Sequence, residues 1–160
     1  MGRVELIEYL FKLSEGKLFL INQLWTLTQQ QSETIDSGEM DSLNDIIEQK
    51  QSIMDRVDVL DKEFAEKYDV IKAEFPINDV GALDSESREK MRILKEKVKE
   101  IHNLTEKIHQ MDHSNTERFQ KNMESIRNEL KKVKFGQKIS KGYSANKQNE
   151  GFSIFIDKMK

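Results

Sequence analysis

The sequence contains no cysteine, a single proline at position 76 and only seven glycines in 160 residues. The missing cysteines exclude disulfides, thiolate metal sites and cysteine nucleophiles, with a slight lean toward a reducing compartment. The scarcity of Pro and Gly, in a chain that is 34% charged and rich in Glu, Lys, Leu and Gln, favours long helices over strands. Long apolar runs are missing too. The longest is Leu-Phe-Leu-Ile at residues 18–21, far short of the roughly 20 residues that a membrane span needs, so no membrane insertion is expected. Glu5, Glu8 and Lys12 interrupt any signal-peptide core, and Leu6 stands where a myristoylation motif needs Ser or Thr. No targeting segment is read at the N-terminus.

Net charge is −3, but it is unevenly distributed. From residue 131 onward eight lysines face only Glu150 and Asp157, a balance of +6; residues 1–130 carry 18 basic and 27 acidic residues, a balance of −9. An acidic body thus bears a basic tail. The body repels phosphate and the tail holds no folded base-reading module, so no nucleic-acid partner is expected.

Three helices are legible. Val4, Ile7, Phe11, Leu18, Ile21, Trp25 and Ile35 recur at helical spacing, and Gly16 among them costs about 1 kcal/mol relative to Ala. This helix should stop near Ser37 and Gly38, since Gly tolerates the left-handed C-cap. Asp41 or Ser42 can cap a second helix, whose stripe runs Met40, Leu43, Ile47, Met54, Val57, Phe64, Tyr68, Ile71 and Phe75, broadened by Ile46, Ile53 and Leu60. Pro76 ends it. Residues 76–84 read as a loop, after which Asp84 or Ser85 caps a third helix through Met91, Leu94, Val98, Ile101, Ile108, Phe119, Met123, Ile126, Leu130 and Val133. Its seam turns polar at Asp112, Asn115 and Asn122. The expected helices are about 3–36, 41–75 and 86–134. Residues 1–135 would be a bundle and 136–160 a flexible basic tail, with residues 136–151 too polar to be ordered.

Short connections predict an elongated, all-α, up-down-up antiparallel three-helix bundle or coiled coil. The first two helices would each be roughly 50 Å long and the third near 73 Å, so the third should overhang its neighbours beyond about Gln120. That overhang carries Phe119, Met123, Ile126, Leu130 and Val133, whose burial on a partner is worth roughly 1.5 to 3 kcal/mol per fully buried side chain. An extended first helix, a kink near Asp112 or pairing of two chains as a homodimer could also cover this stripe. The tail adds Tyr143, Phe152, Ile154, Phe155 and Ile156, apolar points on a flexible arm suited to ordering on a partner. Folding back onto the acidic bundle is the alternative.

Catalytic chemistry finds no support. His109 and His113 stand at i, i+4 but lack the glutamate of a zinc-protease helix and a third ligand, so no metal site is expected. Asp36, Asp41 and Asp45 lack the spacing of a calcium loop. No Gly-rich phosphate loop, nucleophile elbow or kinase signature occurs, and neither an enzyme activity nor a cofactor is expected.

The segment ETIDSGEMDSLNDIIEQKQSIMDRVDVLDKEF, residues 33–64, resembles the hairpin of FlgN-type flagellar export chaperones. ERFQKNMESIRNELKKVK, following Asn115, resembles that family's third helix, and KISKGY with FIDKMK is similar to tails of its Gram-positive members. The resemblance covers nearly the whole chain. It implies a cytoplasmic chaperone that binds hook-filament junction (hook-associated) proteins through its C-terminal part and delivers them to the export machinery. The client-binding residues would then be those of the vacant stripe, Phe119, Met123, Ile126, Leu130 and Val133, together with the apolar points of the tail.

Overall fold

The computed structural model describes residues 2–74 and 84–146, the last four of these by backbone alone. All secondary structure among them is helical: α1 is Arg3–Ser37, α2 is Met40–Glu74 and α3 is Ser85–Asn146. No helix among the described residues is long and apolar enough to cross a membrane.

Gly38 ends α1 in the left-handed conformation at φ 75°, and its N–H reaches the Thr34 carbonyl at 3.0 Å, as the C-cap expectation requires. α2 starts earlier than Asp41 or Ser42 would cap it. Its first turn closes from the Leu43 N–H to the Glu39 carbonyl at 3.0 Å, so Asp41 lies within that turn, where its charge faces the positive end of the helix dipole. Asp84 precedes α3, and the Ser87 hydroxyl beside it holds its carboxyl below the ordinary aspartate range. Phe75, Pro76 and most of the loop expected over residues 76–84 lie outside the described residues.

The buried residues of α2 take in Leu43, Val57 and Ile71 of the expected stripe and Ile46 and Ile53 of its broadened edge, and add Lys50. Leu43, Ile46, Lys50, Ile53 and Val57 are buried, Leu60 and Phe64 half-buried, and Ile71 buried: a three-four alternation kept for four heptads. Met40, Ile47, Met54 and Tyr68 stand beside this seam and are exposed, as is Val98 on α3. The physical reason is that a long helix facing two neighbours is covered along a 3.5-residue repeat, and only residues on that repeat stay facing inward.

Two apolar clusters form the core, and each draws on all three helices, as a bundle requires. Leu6, Ile7 and Leu10 meet Ile71, Met91 and Leu94 in one. Leu20, Ile21, Leu24 and Leu27 meet Ile46, Ile53, Val57, Ile101 and Ile108 in the other. Gly16 sits between the two clusters along α1, where a Cβ would meet Leu60 Cδ1 at 3.5 Å, ordinary van der Waals contact. Polar pairs edge the core: Tyr9 hydrogen-bonds Glu63, Lys17 Nζ lies 2.6 Å from Asp61, and Lys90 Nζ lies 2.5 Å from Glu8.

The larger cluster closes on polar groups. Lys50, 8% exposed, donates to Gln31 Oε1 at 2.9 Å and to Asp112 Oδ1 at 2.5 Å. Asn115, with no exposure at all, donates to the Thr28 carbonyl at 3.2 Å, while the buried Thr28 hydroxyl donates to the Leu24 carbonyl at 2.6 Å. The polar seam foreseen around Asp112 and Asn115 is thus a satisfied layer inside the bundle. The chain forms two compact units, residues 1–115 and 116–160, whose border falls inside α3 directly after Asn115.

At its far end α3 continues to Asn146, so residues 136–146, expected to be structureless, are helical. Extending an existing helix needs only one residue fixed per hydrogen bond gained, and the two glycines there, Gly136 and Gly142, cost about 1 kcal/mol each. Residues 147–160 lie outside the described residues.

Two outcomes are expected. Asn115→Ala should destabilise the protein by about 1 to 2 kcal/mol in urea titrations, against about 2 to 5 kcal/mol for the cavity left by Leu10→Ala. The Glu8 carboxyl is held below its ordinary value of 4.5, first by the hydrogen bond from Lys90 and then by its charge. A carboxyl whose pKa falls on folding stabilises above its unfolded pKa and loses that contribution as pH falls through the folded value. Lys90→Met should therefore lower the urea midpoint at about pH 7 and leave it unchanged at about pH 2, where the carboxyl is protonated in both states.

Candidate interaction surface

Within residues 116–146, α3 carries the stripe Phe119, Met123, Ile126, Leu130 and Val133. Phe119 and Met123 are half-buried, whereas Ile126 is 51% exposed and Leu130 and Val133 are each 54% exposed. Helical spacing of four, three, four and three places all five on one face. Ile101 and Ile108, on the earlier part of the same helix, are 6% and 7% exposed. The same residue types at the same period are thus covered before Asn115 and largely uncovered after Ser125.

Phe135, 62% exposed, was not singled out from the sequence. It lies nine residues after Ile126, about half a helical revolution from the stripe at roughly 100° per residue, so a search along one period passes it by. Phe152, Ile154, Phe155 and Ile156 lie outside the described residues, as does the side chain of Tyr143.

Nothing among the described residues suggests reaction chemistry. No group of three His, Asp or Glu side chains is placed to hold a metal ion there. His102, His109 and His113 are exposed on α3. Trp25 packs against the larger cluster and Phe11 and Phe64 against the smaller one, which accounts for the aromatic residues of the stripes as packing groups. Arg92 is forked between Glu89 and Glu96 at 2.6 Å each, an exposed network along one face of α3.

With the helices and this uncovered stripe in place, comparison with known families is informative. The sequence model described as FlgN protein matches residues 1–151. The chain belongs to the FlgN family. FlgN proteins are flagellar export chaperones, a family of binding proteins and not of enzymes. Neither curated proteins nor solved structures yield a match.

Side chains more than half exposed contribute little to folding. Ile126→Ser and Leu130→Ser should each change unfolding free energy by less than about 0.5 kcal/mol. Ile108→Ser, buried on the same helix, should by contrast cost several times as much in the same thermal or urea titration.

Proposed function

We propose that this FlgN chaperone binds hook-associated proteins in the cytoplasm through the C-terminal part of α3 and keeps them soluble for delivery to the type III export machinery. The observation that carries the reading is the exposure of Ile126, Leu130 and Val133 on a continuous helical face. A client segment destined for helical packing in the assembled filament junction needs a temporary apolar partner, and a four-three stripe supplies one in the geometry of helix-on-helix contact. Met123 at its start has an unbranched, polarizable side chain that adapts to varied surfaces. Tyr143, Phe152, Ile154, Phe155 and Ile156 belong to this proposal as further client contacts beyond the stripe.

Residues 1–115 serve as the support, read as an up-down-up bundle. The pairs Tyr9–Glu63, Lys17–Asp61 and Gln31–Lys50 favour opposed α1 and α2, because partner numbers fall along one helix as they rise along the other. Glu8–Lys90 and Thr28–Asn115 favour α1 and α3 running in the same sense. The third helix has 62 residues against 35 in each of the others. Neither shorter helix has the length to cover it throughout, which supports reading it as an overhanging helix.

Full-length protein should co-purify with hook-associated proteins, and Met123→Glu, Ile126→Glu and Leu130→Glu combined should abolish the complex without changing helical content. Client binding that survives these three charges would overturn the proposal. Light scattering separates the competing occupant, a second copy of the chain: a client chaperone stays monomeric across concentration when the client is absent, whereas a coiled-coil adaptor dimerises through the same stripe.

A further inference from the structure

The apolar stripe has two unlike edges. Arg127, Lys131 and Lys134 each follow a stripe residue by one position, after Ile126, Leu130 and Val133, which places them along one side of the stripe at helical spacing. All three are exposed, and none forms an ion pair with a described residue. Lys138, one turn further, is buried and takes no part. Glu124 follows Met123 on the same side, further up the helix; on the other side Glu129 and Lys132 immediately precede Leu130 and Val133, so beside these residues that edge carries one charge of each sign.

Resting on the reading of this stripe as the client surface, we propose that the cationic edge selects the client: the preferred partner is an amphipathic helix whose apolar seam is edged by Asp or Glu where it faces Arg127, Lys131 and Lys134. Apolar contact alone does not distinguish one four-three helix from another, whereas rows of opposite charge beside the contact reject like-charged partners and fix register. An anionic membrane surface is the less suitable match. Surface-lying helices have a broad apolar face edged throughout by cations, whereas this stripe is narrow and has an acid on each side, Glu124 and Glu129.

The test uses the full-length chain and two synthetic helical peptides with leucine at every seam position, one with Glu and one with Lys at the flanking positions. The wild type should bind the Glu peptide about tenfold more tightly than the Lys peptide, with the gap closing as salt is raised. Arg127→Glu, Lys131→Glu and Lys134→Glu combined should reverse the preference. The neutral variant with Gln at the same three positions should abolish it, and circular dichroism should show both variants as helical as the wild type. Equal affinity for the two peptides, or no binding of either, overturns the inference. So does co-sedimentation with phosphatidylglycerol vesicles that the Glu variant loses while both peptides bind the two proteins alike, since that assigns the edge to lipid. The client reading stands or falls separately, on whether Ile126→Glu and Leu130→Glu release hook-associated proteins in a pull-down, because those substitutions leave the three cations in place.

Discussion

The register of the bundle of residues 1–115 depends on a polar layer set into its apolar seam. Through Ile101 and Ile108, α3 is held by hydrophobic contact, which has no direction and tolerates sliding. At Asn115 the contact becomes a hydrogen bond to the Thr28 carbonyl in a site with no exposure, and a slip of one turn would leave that amide buried without a partner. Lys50, bridging Gln31 and Asp112, applies the same condition to α2. A lone buried polar group would destabilise this place; a satisfied set of them rejects other registers, as polar residues at seam positions do in coiled coils.

That layer also separates two uses of one helical pattern. Before it, Leu94, Ile101 and Ile108 on α3 are within a few per cent of full burial and contribute to folding. After it, Ile126, Leu130 and Val133 retain more than half of their exposure, so the protein folds without them and they remain available to another chain. The border between the two compact units falls at the same residue. A sequence period records only that a face is apolar, not which molecule covers it.

The sequence was informative where a single residue type decides the local chemistry. Gly38 marked the end of α1 because few other residues accept a positive φ, and the start of α3 was legible at Asp84 and Ser85. It was less informative where neighbouring faces compete. Met40, Ile47 and Met54 recur as regularly as Leu43, Ile53 and Val57, so apolarity does not separate exposed from buried positions, and Lys50, which completes the buried series, is passed over because it is charged. Lys50 is nonetheless buried, because Asp112 and Gln31 receive its charge. The helical run of residues 136–146 was missed for the opposite reason: it has few apolar residues, and propagation from the preceding helix needs none. The stripe was readable because five residues keep strict spacing, and Phe135 was not because it stands outside that spacing.

The graded exposure along the stripe bears on how firmly anything docked there is held. Phe119 and Met123 are already half-covered in the free protein, and Ile126, Leu130 and Val133 are covered by slightly less than half. Docking can remove from water only the surface that remains, roughly half of the transfer free energy of each side chain, and part of that is offset by the lost motion of the two partners. Under the proposed client reading, the stripe therefore grips less firmly than the same side chains would on full burial, which suits cargo that has to be handed on.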